Sequence, residues 1–313
     1  MCYSAQIWAH YRDFIRQFGA ILDLPQFVDV FWHRRSNPKI KIPRAVEASF
    51  ETPESEPAQQ VKTWIDEFRA AQATGWEQEL FKQKKRLADA ERRLQTKTTK
   101  AALEAQRIAT AKIEWLRGKL ADLGRRDVQD QDARIFPGHY APVMVAEGGR
   151  RVVKLMRYQC RPAGKLAAYD TKFPGTYNAR RDNLEGYWKP LFGYSHGLMV
   201  VNAFYENVSG VRADGTTENV VLEFRPQPPQ DMLVACLWSR WEDRATGEVL
   251  YSFAAITDEP PPEVAAAGHD RCIVPIQPQH IDAWLNPDPT DMAAQYAILD
   301  DRPRPYYEHR LAA

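Results

Sequence analysis

Cysteine is scarce: four residues in 313, Cys2, Cys160, Cys236 and Cys272, none in a Cys-x-x-Cys spacing. That excludes a zinc ribbon and a disulfide framework, and the four are read as reduced thiols. The seven histidines are equally dispersed, with no His-Glu-x-x-His and no local His/carboxylate cluster, so no metal is expected. Neither G-x-x-x-x-G-K-[ST] nor G-x-G-x-x-G occurs, and no nucleotide cofactor is expected. No apolar run approaches the roughly 18 residues of a transmembrane helix. The segment Met1 to His10 also lacks the basic region and apolar run of a secretory leader. A cytoplasmic protein without a membrane partner is the expectation. No internal repeat is present.

What remains is the composition of an ordinary globular chain, 44% hydrophobic and 27% charged, long enough for two domains or for one with a large insertion. Net charge is only +1 but unevenly spread. Between Lys82 and Arg126 stand 14 Lys and Arg against 5 Asp and Glu, a local +9 that leaves −8 elsewhere. The same stretch has a helical seam: Leu80, Leu87 and Leu94 repeat every seven residues, and Ile113, Leu116, Leu120 and Leu123 step by three, four and three. The pattern predicts an antiparallel hairpin of helices over about 76–96 and 100–123, broken by polar residues 95–100 and stopped by Gly124. Ahead of it, Glu47 to Gln60 carries Pro53, Pro57 and four glutamates and reads as a linker, followed by a short helix from about Gln60 to Thr74 that Gly75 would stop. The expected organisation is a discontinuous domain, 1–50 with 128–313, interrupted by an inserted linker and hairpin at 51–127.

From Ile135 onward, short apolar runs alternate with Gly and Pro. Runs at 142–145, 152–155, 197–201, 220–224, 232–238 and 249–256 have strand length and composition, and Asp214-Gly215 is a hairpin-turn signal. Helical patterns do not alternate with them. A largely antiparallel β core with flanking helices, an α+β fold, is therefore favoured over a parallel nucleotide-binding sheet.

Chemistry centres on position 2. Once Met1 is removed, Cys2 presents an α-amine and a thiol on adjacent carbons, a pair that captures an aldehyde as an imine and then closes to a thiazolidine. With the amine near pKa 7.7–8.0 and the thiol near 8.5, part of the amine is free near neutrality. Three further segments hold polar groups that a plain strand does not need: Thr176 to Asp182, Val200 to Asn207 where Glu206 would end an apolar strand, and Gly268 to Pro275. Taken alone, each admits a bland account: a turn asparagine with solvated arginines, an exposed strand-end glutamate, a histidine capping a turn.

In their order, Met1-Cys2, Asn178-Ala179-Arg180, Ala203-Phe204-Tyr205-Glu206 and His269-Asp270-Arg271 resemble the motifs of the SOS response-associated peptidase (SRAP) family. Tyr140-Ala141-Pro142, Ala235-Cys236-Leu237-Trp238 and Trp284 are weaker matches, and the resemblance covers roughly 1–40 and 130–290. It implies an open, antiparallel β-barrel-like core with a groove for single-stranded DNA. It also implies a Cys2 nucleophile that forms a thiazolidine crosslink with the ring-opened aldehyde of an abasic site, shielding the lesion, with lyase-like activity or reversal as a further option. Carried over by residue, Asn178 orients the amine and sugar, Glu206 holds the amine and shuttles protons, and His269 serves as acid. Arg180, Arg271 and Arg181 are the expected DNA contacts. The chain departs from the family at Tyr3-Ser4, where Gly-Arg is usual, and at Ala203, Asn207 and Cys272. Two other readings stay open: a cysteine peptidase using Cys2 and His269, and a non-catalytic module whose hairpin docks a protein partner. The basic hairpin could equally lend charge for DNA or be a solvated face.

Overall fold

The computed structural model describes residues 4–211 and 216–312. Cys2, Tyr3 and the Asp214-Gly215 turn signal lie outside the described residues. The chain divides into two compact units, Met1–Thr52 with Gln129–Ala313, and Pro53–Val128.

In the first unit, helices α1 (Tyr11–Phe18), α2 (Leu24–Ser36) and α3 (Arg44–Ala48) precede the insertion. Asp23 starts α2 by accepting from the Gln26 N–H at 3.2 Å, with Pro25 in the first turn where its missing N–H costs nothing. Phe27 and Phe31 of α2 are buried and pack with Phe50.

The second unit is a helical pair, α4 (Glu56–Thr96) and α5 (Lys100–Gly124). Ser55 caps α4 and Thr99 caps α5, accepting from the N–H groups of Ala58 and Ala102. Ala90, Ala102, Ala109, Ile113 and Leu116 are buried, whereas Leu80, Leu87 and Leu94 are half-buried. Two sequence expectations fail here. Pro57 belongs to the first turn of α4, not to a linker, because proline is tolerated where helix N–H groups have no partner. Gly75 does not stop a helix either. A lone interior glycine costs only about 1 kcal/mol relative to alanine, and with good helix formers on both sides and no left-handed backbone at Gly75 the helix runs through it.

After the insertion the first unit resumes, with further helices α6 (Tyr169–Lys172), α7 (Pro262–Ala266), α8 (Ile281–Leu285) and α9 (Met292–Asp300). Its thirteen strands form one sheet. In chain order these are β1 (Ser4–Ile7), β2 (Ile21–Leu22), β3 (Arg134–Ile135), β4 (Tyr140–Glu147), β5 (Arg150–Tyr158), β6 (Asn178–Arg180) and β7 (His196–Val211). Then come β8 (Thr217–Gln227), β9 (Met232–Glu242), β10 (Val249–Asp258), β11 (Cys272–Ile273), β12 (Pro275–Ile276) and β13 (Tyr306–Leu311).

Strands β9, β10, β5, β4 and β7 pair in that sequence, and β7 returns to β9, so five strands close into a barrel. The fold is α+β with a barrel-like core; its pairings are antiparallel except β10 with β5, and closure is complete because β7 reaches both β4 and β9. Closure demands close approach at Gly197, where a Cβ would come within 2.9 Å of Val143 Cγ1. The buried Trp284 of α8 fills the adjoining space, donating from its indole N–H to the Gly197 carbonyl at 3.0 Å.

Strand β7 is long because it serves two sets of partners. Residues 196–201 pair with β9; beyond them, β1 takes one edge (Ser4 opposite Tyr205) and β8 the other (Phe204 opposite Phe224). The second half thus leaves the barrel as the middle of a three-strand extension, with β13 added outside β8.

Candidate functional site

Glu206 sits in that second half of β7, paired opposite Leu222 of β8 and wholly buried. The sequence expectation of a glutamate ending its strand is therefore corrected: the strand continues to Val211 because β8 pairs with it as far as that residue. An acid here is not solvated, so it must be paired or share a proton.

Its partner is His269. Glycine at 268, with φ +94°, turns the chain between α7 and β11 in a conformation that L side chains rarely adopt. The turn delivers His269 Nε2 to 3.0 Å from Glu206 Oε2. The other ring nitrogen, Nδ1, lies 2.8 Å from the Arg271 carbonyl, closer than the 3.3 Å approach of the Arg271 N–H. The shorter contact fixes Nδ1 as a donor. Nε2 then faces Glu206 across the 3.0 Å contact. Desolvation by burial is the largest influence and pushes His269 below its ordinary 6.5, against the raising effect of the Arg271 carbonyl contact. Glu206 and His269 thus form a close contact between a buried acid and a buried base.

Asn178 opens β6, opposite Ala255 on β10. It is buried, and neither its amide nitrogen nor its amide oxygen has a partner among the described residues. Unpaired buried amide atoms cost about 1–3 kcal/mol each, so the position is kept for something other than stability.

The arginines divide. Arg180 donates to Asp182 at 2.6 Å, and Arg271 approaches the same carboxylate oxygen at 3.5 Å. Asp182 therefore ties the Asn178–Arg180 segment to the His269–Arg271 segment, and the Arg180 hydrogen bond holds its carboxyl below the usual range. Arg180 remains 48% exposed and Arg271 only 12%. Arg181 turns elsewhere, to Asp258 and Asp300, where Arg302 also meets Asp258. Hence Glu206 and His269 are in direct contact, Arg180 and Arg271 share one acid, and Arg181 belongs to a separate cluster.

Sequence reading missed Asp182, whose only signal was its place two residues after Arg180. It also missed Arg134, which donates to Ser4 Oγ at 3.1 Å and lies 3.7 Å from the centre of the Tyr205 ring. Among the described residues, no three His, Cys, Asp or Glu side chains are grouped to hold a metal ion, and no helix is long and apolar enough to cross a membrane.

The model of the family described as SOS response associated peptidase (SRAP) matches residues 92–311. Residues 1–91, Cys2 among them, lie outside that match. Among solved structures, a protein from Bordetella bronchiseptica is 18% identical, with 60% of this chain and 90% of that one covered at a TM-score of 0.46. A protein from Bacteroides thetaiotaomicron is 13% identical over 62% and 86% of the two chains, with a TM-score of 0.47. A phage-related protein from B. bronchiseptica is 18% identical over 61% and 85%, with a TM-score of 0.44. No curated protein matches the chain.

Proposed function

The chain belongs to the SOS response-associated peptidase (SRAP) family, a family associated by name with the response to DNA damage, and on that premise we propose that it captures abasic sites in single-stranded DNA through Cys2. After removal of Met1, the Cys2 α-amine adds to the aldehyde carbon of the ring-opened sugar. The carbinolamine loses its hydroxyl as water, leaving an imine. The thiol sulfur then bonds to the imine carbon and its proton passes to nitrogen, which closes the thiazolidine. No oxidant or cofactor enters this balance.

The observation that carries the reading is the buried acid–base contact of Glu206 with His269, one residue along β7 from the position opposite Ser4. Ser4, two residues after Cys2 in the sequence, pairs opposite Tyr205, the neighbour of Glu206 on β7, and on this reading the Cys2 amine and thiol react beside Glu206. Water loss from the carbinolamine needs a proton delivered to the hydroxyl and one taken from nitrogen, and a buried acid–base pair suits both transfers. Asn178 offers a neutral donor and acceptor to amine or sugar. Arg180, half-exposed, can exchange Asp182 for a phosphate oxygen, with Arg271 behind it; Arg181, held by two acids, is assigned a minor part in DNA contact.

The test is incubation of Met1-processed protein with single-stranded DNA carrying one abasic site, followed by a denaturing gel, beside Cys2→Ala and a form that retains Met1. A crosslinked band confined to the processed protein is expected. Crosslinking that survives Cys2→Ala would refute the mechanism. Peptide hydrolysis that requires Cys2 without crosslinking would replace it with the peptidase reading, and full function without Cys2 would leave only the interaction module.

A further inference from the structure

The Pro53–Val128 unit carries the chain's excess of positive charge, and its first part, residues 53–91, lies outside the family match. The charge is not a uniform halo. Lys82, Lys85, Arg86 and Arg93 of α4 line one groove whose floor is the buried Ala90 and Ala102. The spacing is the cause: steps of three, one and seven residues keep the four cations along one side of α4, while alanine on both helices leaves the groove open between them. All four are exposed. Lys85 and Arg93 have no acidic partner among the described residues, Arg86 feels only the Glu104 charge at longer range, and Lys82 is held by a 4.0 Å contact with Glu79. The acids nearby are already committed, Asp89 at the groove's edge to Arg92 at 3.1 Å and Glu104 to Arg107 at 2.6 Å.

We propose that this groove binds the sugar-phosphate backbone of single-stranded DNA, as a site of its own within the helical pair. Four cations clustered on one face, only partly offset by Glu79, Asp89 and Glu104, repel one another, and a linear polyanion relieves that repulsion. The geometry fits a strand. From Lys82 to Arg93 the helix rises about 16 Å at 1.5 Å per residue, room for a short run of backbone phosphates. Contacts are to phosphate alone, because the alanine floor offers no aromatic face or amide to read a base, so binding there is indifferent to sequence. The choice of DNA as the polyanion rests on the proposed function, but the groove's contribution is measured without the Cys2 reaction.

The experiment compares full-length protein with the quadruple variant Lys82→Gln, Lys85→Gln, Arg86→Gln, Arg93→Gln, binding an unmodified single-stranded oligonucleotide across a salt series. Glutamine is close to lysine and arginine in helix propensity, and unchanged helical circular dichroism verifies folding. A control variant removes four exposed cations of the same unit outside the groove: Lys84, Lys100, Lys112 and Lys119, each to Gln. Each phosphate contact contributes about 0.7 to the slope of log affinity against log salt. The groove variant is expected to lose nearly three units of slope, so that between about 50 and 200 mM salt its affinity falls about 50-fold less than that of the wild type. The control should lose less than one unit. Equal losses in the two variants would reduce the groove to bulk charge and overturn the proposal. An unchanged slope in the groove variant, with loss of binding to polyglutamate, would overturn it in favour of an acidic protein partner. Crosslinking to abasic DNA, assayed separately, fails on loss of Cys2 and not of the groove, so failure of one reading is distinguishable from failure of the other.

Discussion

Glu206 Oε2 and His269 Nε2 stand 3.0 Å apart although they come from the middle of β7 and from the turn after α7. The contact couples the barrel extension to the segment that also presents Arg271, and both side chains are buried. On the proposed reaction, Glu206→Gln keeps the shape and a hydrogen-bond partner for His269 but abolishes the exchangeable proton. Crosslinking should slow by about 100-fold or more, within the usual range for loss of a positioned acid or base, while the unfolding midpoint moves little. Single-turnover gel kinetics check this; a rate within a factor of about two of wild type would remove Glu206 from the chemistry and leave it a structural acid.

A second histidine sets the acid limit of the fold. His196 is buried against Trp284, with ring centres 4.0 Å apart, accepts from the Gly193 N–H at Nε2 and meets the Trp284 carbonyl with Nδ1. Nε2 is already an acceptor, so protonating it sets two donors against each other. Burial accordingly pushes the imidazole down to about 3 from 6.5. Because the folded value lies below the unfolded one, the neutral-ring contribution to stability is complete above about pH 6.5 and is lost as the pH falls toward 3. The loss runs at about 1.4 kcal/mol per pH unit for this one proton. His139, pushed down to about 4 by burial, acts in the same direction. His196→Gln should be less stable at pH 7 but show a slope shallower by about one proton between pH 6 and 4 in urea midpoints. An unaltered slope would mean that His196 is charged in the folded state.

Much of this was readable from the residues, and the failures have physical causes. The apolar runs that became β4, β5, β7, β8, β9 and β10 announce themselves because each is buried over most of its length, so hydrophobicity and strand coincide. The extension of β7 past Tyr205 did not, since Glu206 and Asn207 have no strand preference of their own and are kept in line by β8, a partner found only in three dimensions. Gly75 misled because a local penalty of about 1 kcal/mol was weighed without the long helix, capped by Ser55, that runs through it. The contact of Glu206 with His269 was likewise invisible; the two motifs could be named but not their distance. Asp182 joins Arg180 to Arg271 through side-chain geometry that no spacing encodes.

Cys2 should be the sole reactive thiol. Cys160, Cys236 and Cys272 are buried. Desolvation raises Cys160 to about 12 and pushes the other two further still. Cys272 is the strictest case. It lines an open cleft between the Pro260–Pro262 segment and Tyr306, yet it is only 4% exposed, and the Glu206 charge adds to the burial that raises its thiol. Since the thiolate is the reacting species, these three carry about one part in 10,000 or less of it at pH 8, whereas an N-terminal cysteine near pKa 8.5 carries about a quarter. Native protein treated briefly with iodoacetamide should take up one label per chain, and Cys2→Ser should take up essentially none. After denaturation the counts should rise to four and three. Peptide mapping by mass spectrometry places the label, and rapid native modification of Cys272 would mean that the cleft opens to Glu206 and that the acid–base pair is not sealed from solvent on that side.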